Sequence, residues 1–343
     1  MYIKAVLRYN GHMSPIIRML HPHIRKMSVH TDLRQVADLI ELCFGYQMDH
    51  DGKQYLKYLR NVAAGRRQVR WVDGANERIS VPLFGYVWIE DGKLVGNVSI
   101  SPFAWQKNWY YLIANVAVHP DYRRRGIAKL LTEQAVYHAQ FQGVDHLWLQ
   151  VKEFNQTAIR LYQNLGFEQR AVRTQWRLMD YVQIGEQSEK RSSMHVIPRP
   201  RKDWERHQEW FEKNYPLDVQ WYFGVDTQDL APGLLKSVER YLLNDQAMHH
   251  YSAYNNNQLA GIMTYQPTQN NPHSLYLSIP VSETENEILE SLLGFANRLF
   301  GISNTLRVNY PAGRGLEAFQ ACNFLPQNTL IWMEYPTTLF KKL

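Results

Sequence analysis

Two cysteines in 343 residues, no long apolar run and no strong excess of one charge set the first limits on this chain. Cys43 and Cys322 stand far apart in sequence among apolar neighbours. That excludes a disulfide framework and predicts two reduced, buried thiols. No stretch approaches the ~18 consecutive apolar residues of a membrane-spanning helix. Residues 1–23 carry Lys4, Arg8 and Arg18 but no long apolar segment ahead of a small-residue cleavage site. They read as an extension and not as a signal peptide, with the cytoplasm the expected compartment. Lys and Arg number 38 against 32 Asp and Glu, a net charge of +6, which suits an anionic small ligand as well as nucleic acid and decides neither. What the chain has in quantity is apolar surface. Hydrophobic residues make up 45% of it, with 21 Tyr and 10 Trp, which excludes a mainly disordered chain and supplies rings for cores and pockets. The length predicts two domains at a typical ~150 residues each.

Strand and helix patterns alternate from Ile24 on. Ile24-Arg25-Lys26-Met27 predicts a short strand. Thr31 and Asp32 stand where a helix N-cap belongs, ahead of Leu33, Val36, Leu39, Ile40 and Cys43 at helical spacing. A polar region with Asp49, His50, Asp51, Arg66 and Arg67 encloses a helix over 54–64. Strands follow over 80–89, 94–101 and 109–118. The first two are joined by Glu90-Asp91-Gly92-Lys93, whose Asp-Gly pair favours positive φ. Ile127, Leu130, Leu131, Ala135, His138 and Phe141 share a helix face that Gly143 ends. A strand over 146–151, a helix over 155–164 stopped by Gly166, and a strand over 170–182 complete the unit. Gly185 to Lys202 is polar, with three Ser and two Pro. It divides a first domain, 24–184, from a linker and start of a second repeat, 185–202, and a second domain, 193–343.

The second unit echoes the first. Asp91-Gly92-Lys93-Leu94-Val95-Gly96 is matched by Asn256-Asn257-Gln258-Leu259-Ala260-Gly261. Leu161-Tyr162-Gln163-Asn164-Leu165-Gly166-Phe167 is matched by Ala318-Phe319-Gln320-Ala321-Cys322-Asn323-Phe324, and Met179-Asp180-Tyr181 by Met333-Glu334-Tyr335. Three echoes in the same order at similar spacing predict duplication of one α/β unit.

The densest chemical signal is Asn115-Val116-Ala117-Val118-His119-Pro120-Asp121-Tyr122-Arg123-Arg124-Arg125-Gly126-Ile127-Ala128. It is a buried-type strand, an arginine-rich loop and a helix start. A helix N-terminus offers unpaired N–H groups and a positive dipole end, which suits a pyrophosphate. Gly126 lets backbone approach phosphate oxygens, and Arg123 to Arg125 add charge beside it. The plain alternative is a solvated basic turn before an ordinary helix.

Arg123-x-x-Gly126-x-Ala128 after Val116-Ala117-Val118, followed by Asn155-x-x-Ala158-x-x-Leu161-Tyr162-x-x-x-Gly166-Phe167, resembles the acyl-CoA signature of the GNAT-type N-acetyltransferases. The resemblance covers 24–182 well and the second half more faintly. It implies an α/β (α+β) chain of two tandem GNAT-like domains, each a mixed, largely antiparallel twisted sheet flanked by helices. It also implies that the strand of Val116, Ala117 and Val118 splays from its neighbour to hold the acetyl group and pantetheine arm of acetyl-CoA. Arg123, Arg124, Arg125, Gly126, Ile127, Ala128 and Lys129 would wrap the pyrophosphate, mostly through main-chain N–H. Asn155 would contact the cofactor arm, and Tyr162 would protonate the departing CoA thiolate. A phenol of pKa near 10 is a feasible donor to a thiolate; otherwise Tyr162 is a core aromatic with one hydrogen bond.

Many relatives place a Glu just before the Val-Ala-Val run as general base. Here that stretch is Tyr111-Leu112-Ile113-Ala114-Asn115, without a carboxylate. Glu90, Asp49, His50 or Asp51 could act through water, or the amine could arrive neutral. His119, in a His-Pro pair, reads as a structural turn. Trp105, Trp109, Tyr110 and Tyr111 form either a packed hairpin or a wall of the acceptor pocket. Asp49-His50-Asp51 imitates a metal site, but adjacent residues do not easily face one ion, so no metal is expected.

In the second half, the strand over 274–279 is followed by Pro280-Val281-Ser282-Glu283-Thr284-Glu285-Asn286-Glu287, whose glutamates repel a pyrophosphate. Phe319 stands in place of the tyrosine and Asn323 in place of the glycine. Arg314, between Gly313 and Gly315, reads as a surface turn. This copy is expected to be non-catalytic and to cover the acceptor cleft or stabilise the first half. The expected activity is acetyl transfer from acetyl-CoA to a small-molecule or peptide amine in a ternary complex, with Val118 N–H facing the thioester oxygen. Nucleic acid and membrane are not expected partners, and a monomer or homodimer is. Two other classes stay open: a tandem-repeat aminoacyl transferase that uses charged tRNA, and a non-catalytic acyl-CoA sensor.

Overall fold

A computed structural model describes residues 19–48, 50–65, 84–178, 194–232, 248–267, 273–301 and 305–337. The first half runs β1 (Ile24–Lys26), α1 (Leu33–Phe44), α2 (His50–Ala63), β2 (Phe84–Glu90), β3 (Lys93–Trp105), β4 (Asn108–Val118), α3 (Ile127–Gln142), β5 (His146–Lys152), α4 (Gln156–Asn164) and β6 (Glu168–Leu178). The second half runs β7 (His195–Pro198), α5 (Trp204–Asn214), α6 (Leu217–Phe223), β8 (His249–Asn255), β9 (Gln258–Gln266), β10 (His273–Ser278), α7 (Glu285–Phe300), β11 (Leu306–Pro311), α8 (Leu316–Ala321) and β12 (Phe324–Tyr335). Arg66, Arg67, Met179-Asp180-Tyr181 and 185–193 lie outside the described residues.

Local chemistry accounts for the repeated parts. The β2–β3 turn has φ 49° at Asp91 and 74° at Gly92, and the β8–β9 turn has φ 48° at Asn256 and 64° at Asn257. Two successive positive φ values make the tight hairpin turn that suits twisted strands, and Asp, Asn and Gly adopt it best. Asp32 stands at the start of α1 but makes no side-chain cap. Its carboxylate instead accepts from Arg25 Nη2 at 2.9 Å and Ser28 N at 2.7 Å, which ties β1 to the helix start. A Cβ on Gly96 of β3 would lie 2.9 Å from Ile127 and 3.0 Å from Leu131. One on Gly261 of β9 would lie 2.6 Å from Ile288 and 3.4 Å from Leu292. Each half thus seats its long helix on a bare glycine, which equates α3 with α7.

The described strands form one sheet in the order β1-β2-β3-β4-β5-β12-β6-β11-β10-β9-β8-β7. β4–β5 and β10–β11 are parallel, and the other pairs are antiparallel. The two halves have exchanged their last strands. β12 lies beside β5 of the first half, from Leu330↔Lys152 to Tyr335↔Leu147, while β6 lies beside β11 of the second. β12 and β6 then pair with each other along most of their length. His146 Nδ1 and Arg170 Nε both meet the Glu334 carboxylate, at 2.9 and 3.0 Å, which pins the end of β12 to the first half.

One face of the first-half sheet packs on α3 and α4 through Val98, Ile100, Ile127, Leu131, Leu149 and Tyr162. The other face carries two apolar clusters. Val87, Leu94 and Ala117 pack under α1 and α2, and Phe103, Tyr110, Trp148 and Trp332 pack under Val219 and Trp221 of α6. His138 of α3 is buried, with Nδ1 3.0 Å from the Tyr86 hydroxyl, and burial pulls its pKa down to about 4. Above the ordinary value of 6.5 it is neutral folded or unfolded. Between 6.5 and about 4 only the unfolded chain takes the proton, so stability falls with pH by as much as about 3 kcal/mol. Urea midpoints for wild type and His138→Gln should converge between pH 7 and pH 4.5; parallel curves would assign the acid sensitivity elsewhere.

Candidate active site

The site grows from the place where β4 and β5 part. They pair from Tyr110↔His146 to Ile113↔Leu149 and no further. Beyond Ile113, β4 keeps β3 on one side and has an open edge on the other. His119 N–H goes to Val95 O at 2.8 Å. By strand alternation Val118 N–H therefore points into the gap. A bulge sits in this stretch: Asn97 pairs with Ala117 but Ser99 pairs with Ala114, so β4 carries an extra residue. Asn115 takes it up at φ 51°, a conformation that asparagine tolerates better than most residues. Asn97 Nδ2 donates to Asn115 O at 2.9 Å and to Ser99 Oγ at 3.1 Å, and Asn115 Nδ2 donates to the Tyr55 hydroxyl at 2.8 Å. Sequence reasoning missed Asn97; its signal was an asparagine inside an otherwise apolar strand run.

The gap opens toward the start of α3. Pro120–Tyr122 form a short turn, Arg124 has φ 66° and Gly126, at the N-cap, φ 78°. The first helical bond runs from Leu130 N to Gly126 O, so the N–H groups of Gly126 to Lys129 have no partner within the helix. A Cβ on Gly126 would meet nothing within 4 Å. Glycine is needed here for its φ, and the space before it is open, which fits a phosphate group. The three arginines differ in task. Arg123 Nε donates to Val118 O at 3.2 Å, and Arg125 pairs with Glu90 at 3.1 Å while lying over the Tyr122 ring. Both build the loop. Arg124 has no partner among the described residues and is exposed, and Lys129 lies 3.8 Å from Glu133.

Glu90 also accepts from Trp88 Nε1 at 3.2 Å, so as a base it is already engaged. His119 Nδ1 accepts from Asp121 N at 3.3 Å, the structural turn expected of it. Asp49 lies outside the described residues, and His50 and Asp51 begin α2. The aromatic quartet does not make one wall. Trp105 and Tyr110 join the α6 side and Trp109 and Tyr111 the α3 side, at the hairpin end of β4 away from the gap.

Asn155 caps α4, its Oδ1 accepting from Ala158 N at 3.2 Å. Tyr162 packs edge-on against Phe167 and shares a cluster with Ile127, Val116 and Val118, while Ala117 faces α1 and α2. The Tyr162 hydroxyl has no hydrogen-bond partner among the described residues, in place of the single bond a core tyrosine predicts. Burial pushes its pKa up, so the phenol keeps its proton at neutral pH.

The second half repeats the gap and fills it. β10 and β11 pair from His273↔Leu306 to Leu275↔Val308, and β10 has no bulge against β9. The Tyr215 hydroxyl accepts from Leu277 N at 3.2 Å, and Asn214 Nδ2 donates to Ile279 O at 2.7 Å. Buried Arg173 donates to Asn214 O at 2.7 Å and Asn309 O at 2.9 Å. At the start of α7, Glu285 accepts from Arg314 Nε at 2.9 Å and the Tyr310 hydroxyl at 2.7 Å, so Arg314 is a half-buried ion-pair partner and not a free surface turn. Phe319 lies flat on Trp176 at 4.4 Å.

Residues 50–167 match the family described as Acetyltransferase (GNAT) family. The first half of the chain thus carries a GNAT-family segment. The [Ribosomal protein bS18]-alanine N-acetyltransferase of Salmonella typhimurium is 42% identical over 59 residues, 17% of this chain and 40% of that protein. The streptothricin acetyltransferase of Streptomyces lavendulae is 38% identical over 77 residues, 22% of this chain and 40% of its own length. The chain thus spans about two fifths of the length of the curated relatives it matches. A solved GCN5-related glucosamine N-acetyltransferase region of a fungal multi-domain GH3 β-N-acetylglucosaminidase aligns with 92% of this chain and 38% of that one. Its TM-score is 0.52 at 13% identity, a likeness of fold that runs through both halves. Among the described residues no helix is long and apolar enough to cross a membrane, and no group of His, Cys, Asp and Glu is placed to hold a metal.

Proposed function

We propose that this protein moves an acetyl group from acetyl-CoA to an amine at a single active site in its first half. The observation that carries the reading is the open β4 edge facing the unpaired N-terminus of α3, which among the described residues is present once and is self-filled in the second half. Acetyl-CoA supplies the activated thioester. The N–H groups of Gly126 to Lys129, with Arg124, hold its pyrophosphate, and Val116 and Val118 offer backbone groups to the arm. Val118 N–H faces the acyl oxygen where charge develops. Asn155 orients α4, and Tyr162 holds a proton for the departing sulfur. The relatives' names give an alanine of a ribosomal protein and streptothricin, so protein and non-protein acceptors both suit the reading.

Calorimetry with acetyl-CoA should show one site per chain, and a panel of amines should release CoA. Two equivalent sites, or none, would contradict the reading. Binding without turnover on any amine would leave a sensor, and specific tRNA binding an aminoacyl transferase. Tyr162→Phe should lower turnover about 10²–10⁴-fold with acetyl-CoA affinity little changed, since only the proton is lost. Full turnover in that variant, with chemistry rate-limiting, would remove Tyr162 from the role.

A further inference from the structure

The α1/α2 cluster and the α6 cluster share one face of the first-half sheet, and a polar strip separates them. Asn97, Ser99 and Ser101 of β3 lie there, at 0%, 0% and 3% exposure, with Asn115 of β4 and Gln150 of β5. Gln150 alternates with Leu149 and Val151 of the α3 face and so shares the face of Trp148. The strip flanks the gap: Asn97 pairs with Ala117, and Gln150 follows the last β4–β5 pair. Its hydrogen bonding is incomplete in a definite sense. Asn97 spends both amide protons on Ser99 and Asn115, which fixes the amide and leaves Oδ1 buried without a donor. Gln150 Nε2 is buried without an acceptor, as are the indole Nε1 atoms of Trp148 and Trp332, the latter paired with Gln150 across β5–β12. Buried polar atoms are usually hydrogen-bonded, so an acceptor and several donors left over beside an open strand edge suit a ligand that supplies their partners.

We propose, resting on the acetyl-transfer reading above, that this strip is the acceptor subsite. It takes an amine whose neighbouring carbon bears a carbonyl or carboxylate oxygen. Asn97 Oδ1 accepts from the attacking nitrogen, and Gln150 Nε2 donates to the oxygen. A diamine fails on chemistry, because its second nitrogen is a cationic donor facing the donors of Gln150, Trp148 and Trp332. A free α-amino acid and a peptide N-terminus share the required unit.

The test uses the full chain at fixed acetyl-CoA with alanine, alanylalanine, isopropylamine and putrescine, compared per unprotonated amine. We expect alanine or alanylalanine to exceed isopropylamine in kcat/KM by about 10²-fold, since a site built to bond an oxygen rejects the analogue without it. Preference between those two tells the free acid from the peptide. In Gln150→Leu the ratio should fall to within about threefold while acetyl-CoA affinity, which also reports folding, stays unchanged. Equal use of isopropylamine or putrescine by wild type, or a ratio preserved in Gln150→Leu, overturns the proposal. Acetyl-CoA binding with no reaction on any of the four also overturns it but spares the wider reading; loss of acetyl-CoA binding by wild type overturns both.

Discussion

The first half cut at Gly185 should not give a soluble, folded protein. Both neighbours of β6, namely β12 and β11, belong to the second half, and so does the partner of β5 beyond β4. The fragment keeps β5 as an open, apolar edge, the form of strand most prone to pair with other chains. It also loses Trp221, Ile331, Trp332 and Met333 from contact with its own core. At about 1.5–3 kcal/mol for each large buried side chain, four such losses reach the 5–15 kcal/mol by which whole domains are stable. Light scattering and circular dichroism of the fragment check this. A monodisperse, folded fragment with the full chain's acetyl-CoA affinity would show that β6 can take the place of β12 beside β5 at no cost.

Gly126→Glu should abolish acetyl-CoA binding, lowering affinity by at least about 10³-fold. Its φ of 78° strains any residue with a Cβ, and the carboxylate enters the open space that faces the helix N-terminus. Gly126→Ala separates the causes: it carries the strain without the charge and should lose about fivefold, the equivalent of roughly 1 kcal/mol of backbone strain. Calorimetry reads both, with the melting temperature as a check on folding. Gly126→Glu binding as tightly as wild type would move the pyrophosphate away from α3.

Local chemistry made much of this legible in the sequence. Asp91-Gly92 and Asn256-Asn257 announce their turns because few other pairs accept two positive φ values. The arginine loop and the α3 start are also local, and they lie where their spacing placed them. The strand exchange is not local. β6 and β12 each have alternating faces that fit either half, so their pattern is the same whichever neighbour they take. Pairings across long separations were hidden for the same reason. Arg125 reads as a phosphate ligand, and nothing in its spacing announces its pairing with Glu90, 35 residues away. Tyr215 and Asn214 lie 62 and 65 residues from the Leu277 N–H and Ile279 carbonyl that they fill in the second gap, with no local signal for either contact. Asn97 matters because Ser99 and Asn115 orient it, and no propensity encodes that.

The exchanged strand also orders events in time. His146 finds Glu334 188 residues later, so the sheet that carries the site lacks its middle strand until β12 has been made. At about 5–20 residues per second that is a wait of roughly 10–40 s. Throughout it the β5 edge and the face of Trp148 lack their native partners from β12. The twelve residues of β12 are thus what completes the sheet around the candidate site.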